Sequence, residues 1–235
     1  MPSSEQFFPV ITHPEMGGHH ALLIDYIGSG CSDHSPMFDY SIENHARSVI
    51  AVLDYEGVEA CTLIGYSMGG IVGIMLSRLR PDLVSNLIVA EANISPGGGE
   101  ATRRIASSVE SEFVNEIHQI LLEELRHAGV EGDQTAAFTH ESWSRAYPTG
   151  LYKSSRAIVE LDDSFELQFK QLPIPRTFIY GGRSIPEDRN RARPDEPFPG
   201  DLALFDIKIA IVPGSGHAMI IDNIHGFVDI LKQAI

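Results

Sequence analysis

A chain of 235 residues, 43% hydrophobic and 21% charged, has the apolar material for one globular domain or for one domain carrying an insertion. Its 17 Lys plus Arg against 32 Asp plus Glu give a net charge of −15 with no basic block, which argues against nucleic-acid and anionic-membrane partners. Cys31 and Cys61 are too few for a disulfide framework and lack the Cys/His spacing of a metal site, so both read as buried thiols. The opening MPSSEQFFPV has no basic or long apolar region, and the most apolar stretch, Leu63 to Leu79, is broken by four glycines and Arg78. These features predict a soluble, cytoplasmic protein without a membrane span.

The chain opens on a polar, helix-like segment rather than on a strand. The run Ala21-Leu22-Leu23-Ile24-Asp25-Tyr26 follows a Gly-Gly-His-His turn and stops at Gly28-Ser29-Gly30, which predicts a short buried strand. From Ser41, a candidate N-cap, the period becomes helical, with Ala46, Val49, Ile50 and Leu53 on one face and Gly57 as the stop. Cys61 to Ile64 reads as a second strand, Ile71 to Leu79 as a helix ending before Pro81, and Leu87 to Ala90 as a third strand. Beyond Pro96-Gly97-Gly98-Gly99 the period is helical (Ile105, Val109, Phe113, Ile117, Leu121) as far as Leu172. Strands resume at 176–180 and 208–212, on either side of a Pro- and charge-rich loop, and a helix carrying Phe227, Val228 and Leu231 closes the chain. This order predicts an α/β fold: a mostly parallel sheet of about five strands with flanking helices, its core formed by 1–97 and 172–235 and a helical cap inserted at 98–171.

Gly65-Tyr66-Ser67-Met68-Gly69 matches G-x-S-x-G after a strand and before a helix, where a sharp turn would present the Ser67 hydroxyl at the strand's C-terminal end. Without that context the pattern is a Gly-rich helix start. A serine nucleophile needs a base. Of ten histidines, His217 alone follows a strand immediately, in Val212-Pro213-Gly214-Ser215-Gly216-His217, so it projects from the same sheet edge as Ser67; the bland alternative is a surface histidine in a turn. An orienting carboxylate has three candidates: Glu91, directly after the third strand, and Glu187 and Asp188 in the Pro-rich loop. A short tether to a strand end holds hydrogen-bond geometry better than a loop does, which favours Glu91. Gly28-Ser29-Gly30 lacks the third glycine of a dinucleotide fingerprint and reads as a structural turn. Trp143, Tyr147 and Tyr152 could line a substrate cleft or form the cap's own core.

The order strand-GSGCSD-helix-strand-GYSMGG-helix-strand-helical insertion-strand-strand-GH-helix resembles the α/β-hydrolase fold family over essentially the whole chain. The resemblance implies a nucleophile at Ser67 and a catalytic histidine at His217. Most members carry the acid in a G-x-x-D turn after the seventh strand; here that turn reads Gly181-Gly182-Arg183-Ser184, with Ser184 where the acid would be. A minority, including haloalkane dehalogenases and some lactone hydrolases, place Glu after the sixth strand, and Val89-Ala90-Glu91 is similar to that arrangement. A serine at the nucleophile position implies acyl rather than alkyl-ester chemistry.

The resemblance thus implies a serine hydrolase of small ester or lactone substrates, without cofactor or metal, using Ser67, His217 and Glu91, with the Met68 N–H as one oxyanion donor and Trp143 and Tyr147 in the substrate cleft. A second donor normally comes from an H-G loop after the family's third strand, and Met1 to Phe8 looks like that loop's continuation. On this reading the family's first three strands and the H-G would precede Met1. The 21–26 strand would then pair directly with that at 61–64, or stability would suffer, and losing one donor would cost roughly 3–4 kcal/mol of transition-state stabilisation. The competing class is a non-catalytic, hydrolase-like ligand-binding protein.

Overall fold

The computed structural model describes residues 3–185 and 197–235. Its sheet has four parallel strands, β1 (Cys61–Tyr66), β2 (Val84–Ala90), β3 (Arg176–Gly181) and β4 (Lys208–Val212), in the spatial order β1-β2-β3-β4. Both faces are covered, as a parallel sheet requires. With side chains alternating along each strand, Leu87, Val89, Phe178 and Tyr180 enter a core built with the Ile42–Tyr55 and Met68–Leu79 helices. Ile88, Ala90 and Ile179 enter the opposite core, against Phe227, Val228 and Leu231 of the closing helix, Ile224–Ala234. Each fully buried Leu, Ile, Val or Phe among these side chains stabilises the fold by about 1.5–3 kcal/mol.

Helix ends follow local chemistry. The Ser41 hydroxyl accepts the Asn44 N–H at 3.2 Å to cap Ile42–Tyr55, and Gly57 takes the left-handed conformation (φ 68°) after its last turn. Between β2 and β3 every regular element is a helix, including Glu100–Ala106, Gln134–Ser144 and Pro148–Val159.

Residues 21–26 form no strand, so the expected pairing with β1 does not occur. The segment's polar groups are committed to a corner instead. The Asp25 carboxylate accepts the N–H groups of Ser4 (2.6 Å) and Cys31 (2.8 Å), the Ser32 hydroxyl donates to the Asp25 carbonyl, and a Cβ on Gly30 would lie 2.3 Å from the Asp25 carboxyl. Ile24 and Tyr26 still pack on the core, while Leu22 is exposed. Cys31, expected to be buried, is exposed on the same corner, and Cys61 is only half-buried.

Polar ties join the N-terminal segment and the loop after Tyr26 to the helical insertion. The Ser3 N–H donates to the Ser142 hydroxyl (3.1 Å), Arg145 pairs with Glu5 (2.5 Å), the Tyr147 N–H donates to the Gly28 carbonyl (2.9 Å), and buried His45 bonds the Ser154 hydroxyl (3.0 Å). Among the described residues no helix is long and apolar enough to cross a membrane.

Candidate active site

Ser67 is the single residue between β1 and the Met68–Leu79 helix, and it holds φ 53°, ψ −123°, a conformation costing a non-glycine residue about 1–3 kcal/mol. The turn is locked by main-chain bonds: the Ser67 N–H donates to the Ala90 carbonyl (2.8 Å) and the Gly70 N–H to the Ser67 carbonyl (2.9 Å). A Cβ on Gly65 would fall 2.3 Å from the Gly69 carbonyl oxygen, and one on Gly70 would lie 2.8 Å from Val89 and Ala92, so these two glycines let the helix start against the strand. Gly69, the second glycine of the motif, is different; its nearest neighbour would be the Tyr26 hydroxyl at 3.5 Å. Met68, the first helical residue, is buried, and its N–H has no acceptor within the helix.

Glu91 is the first residue after β2 and is 7% exposed. Its carboxylate has two partners from the neighbouring strand ends: the Gly181 N–H donates to Oε1 at 2.6 Å, and His217 Nδ1 lies 3.3 Å from Oε2. An ionised carboxylate can only accept, so the imidazole proton sits on Nδ1 and Nε2 is left as the basic nitrogen.

The main chain carrying His217 is held on both sides. The Tyr66 hydroxyl donates to the His217 carbonyl, and burial beside Glu91 and Asp222 raises the phenol's pKa well above its ordinary value, so it remains a donor. The Asp222 carboxylate accepts the Gly216 N–H and the Arg183 guanidinium, both at 2.8 Å. A Cβ on Gly181 would lie 2.4 Å from the Gly216 carbonyl oxygen, so this glycine permits the His217 loop to rest on the end of β3. Ser184, at the position of the family's usual acid, donates its N–H to the Gly181 carbonyl. Glu187 and Asp188, the alternative acids, lie outside the described residues, as does Met1.

Ser67, Met68, Glu91 and His217 all line one cavity of about 600 Å³ between the sheet edge and the insertion. Trp143 lines it too. Tyr147 does not: its ring stacks on His34 at 4.3 Å, and Tyr152 packs on Phe113 and bonds the Ser108 carbonyl inside the insertion. Sequence reading passed over Gln6 and Phe138 on the cavity wall and Asp222 behind the histidine. Gln6 and Phe138 carry no local signal because packing of distant segments places them. The Gly181-Gly182 turn was visible, but not the donation of its first N–H to Glu91.

The family model described as alpha/beta hydrolase fold matches residues 3–118. The esterase EaEST from Exiguobacterium antarcticum superimposes with a TM-score of 0.77 at 17% identity, over 99% of this chain and 87% of that one. The chain has the α/β-hydrolase fold. Among curated proteins with which this chain shares sequence, RutD of Pseudomonas savastanoi pv. phaseolicola, assigned by name as a carbamate hydrolase, is 35% identical over 78 residues, covering 33% of this chain and 30% of RutD. The N-formylmaleamate deformylase of Pseudomonas putida is 26% identical over 223 residues, 89% of this chain and 77% of that protein. The match to RutD therefore spans under a third of that relative's length.

Proposed function

We propose that this α/β-hydrolase cleaves small esters or lactones through an acyl-enzyme on Ser67, with His217 as general base and Glu91 as the acid that orients it. The observation that carries the reading is the convergence on one cavity of a serine held at φ 53° and a histidine whose Nδ1 faces a buried carboxylate. In acylation, Ser67 Oγ bonds the substrate carbonyl carbon as its proton passes to His217 Nε2. That proton then goes to the departing alkoxide, leaving the acyl-enzyme. In deacylation a water gives its proton to Nε2 and its oxygen to the acyl carbon, releasing the carboxylic acid and restoring Ser67. Glu91 stabilises the transient imidazolium, and the Met68 N–H, at the positive end of its helix, donates to the oxyanion. Residues 98–171 act as the cap that shields the reacting carbonyl from bulk water, with Trp143 on its inner wall. Carbamates and amides expose the same carbonyl and are secondary substrates in this reading.

A fluorophosphonate probe tests it. Labelling of the native protein that is lost in Ser67→Ala is expected; no labelling of a sample shown to be folded by circular dichroism means a ligand-binding protein instead.

A further inference from the structure

The lining of the cavity deepens that reading, on which this inference rests. Its insertion wall carries the apolar side chains of Ile105, Phe138, Trp143, Leu151 and Ile158 interspersed with the neutral hydroxyls and amide of Thr102, Gln134, Thr135, Thr139, Ser142 and Ser155, and Ile220 faces it from the core. The acidic side chains among the described lining residues are Glu5, Glu91 and Glu100, with His217 the one imidazole, and no lysine or arginine is among them. Arg145, which pairs with the lining residue Glu5, is divided between Glu5 and Glu141 (2.5 and 2.9 Å) and does not line the cavity. Glu100 is exposed in the first turn of Glu100–Ala106.

We propose that the site selects uncharged esters with an apolar acyl or alcohol part and discriminates against substrates carrying a second carboxylate. Such an anion would shed hydration in a lining that offers apolar and neutral polar groups but no cation among the described residues, and would share the cavity with the Glu5 and Glu100 carboxylates. The net charge of −15 works in the same direction at longer range. A neutral acyl chain loses nothing on entering, and the polar side chain of Gln6 leaves the wall able to accept an ester group.

The test uses a matched pair of substrates, p-nitrophenyl pentanoate and mono-p-nitrophenyl glutarate, which differ by a carboxylate in place of the terminal methyl. The pentanoate is expected to exceed the glutarate in kcat/KM by about a hundredfold at low salt, the gap narrowing as salt rises. Glu100→Lys should narrow it by about tenfold. Equal or reversed preference overturns the proposal. A second arm reads the charge preference without turnover: Ser67→Ala titrated calorimetrically with the 4-nitroanilides of pentanoic and glutaric acids. Tighter binding of the pentananilide supports the inference even if Ser67 proves not to be a nucleophile, whereas equal binding, preference for the glutaranilide, or binding of neither overturns it.

Discussion

Ser67 and Glu91 stand at equivalent positions on adjacent strands: Tyr66 pairs with Ala90, and the residue after each turns through a positive φ, 53° for Ser67 and 49° for Glu91. Each is tied one strand further along, Ser67 N–H to Ala90 and Glu91 N–H to Ile179. The same corner, used twice, aims two side chains into one cavity from rigid strand ends, and the strain of each is offset by the ladder that continues through it.

If Glu91 orients His217, Glu91→Gln should lower kcat by about a thousandfold or more while leaving KM within a fewfold, because an amide can hold the Gly181 N–H but allows the wrong histidine tautomer. Asp188→Asn should be indistinguishable from the native protein. Steady-state kinetics on one ester decides the assignment, and the opposite pattern moves the acid to the later loop.

The two glycines of the serine motif should not be equivalent. Gly65→Ala is expected to cost about 4 kcal/mol or more, or to abolish folding, since its Cβ would meet backbone. Gly69→Ala should be neutral or stabilising by up to about 1 kcal/mol in urea unfolding, because it adds a helix-favouring methyl in open contact.

Asp222→Ala removes the acceptor for the Gly216 N–H, one residue before His217. The expected result is a kcat reduced about tenfold with a melting temperature within a few degrees of native, since the Arg183–Asp222 pair is largely exposed and contributes little stability. Asp222→Asn, which keeps an oxygen there, should recover most of the loss; Arg183→Ala should change neither quantity appreciably.

His45 predicts acid sensitivity. Burial pushes its pKa down to about 4 from an ordinary 6.5, opposed by the nearby Asp39 carboxylate. The unfolded chain therefore takes up a proton that the folded one refuses. Stability is full above about pH 6.5 and falls by about 3 kcal/mol as the pH drops toward 4. Urea unfolding at several pH values should show that slope, and His45→Gln should flatten it even if the variant is weaker at pH 7.

That Ser67 and His217 share one sheet edge was legible because each follows a strand within a short glycine-containing turn, which leaves a mark in the local string. That Glu91 faces His217 was legible from tether length. The 21–26 run was misleading because apolar composition reports burial, whereas a strand needs a partner for its N–H and C=O groups; here the Asp25 carbonyl is taken by the Ser32 hydroxyl, and the Asp25 carboxylate ties the segment to Ser4 and Cys31 instead. Tyr147 was ambiguous for a similar reason: an aromatic in the turn before a helix can face either side, and the distant His34 and Tyr40 rings decide which.

Residues 98–171 do not sit on the sheet edge as a hinged cover. Ser142, Arg145, Tyr147 and Ser154 are each bonded to a residue that precedes β1, so helices made late in the chain are fastened to its beginning. Insertion and core should melt in one calorimetric transition, and a protease nick between Ser144 and Pro148 should release neither half. Ligand exchange should then proceed by movement of lining side chains such as Trp143 or Phe138, on a timescale far shorter than that of displacing the insertion.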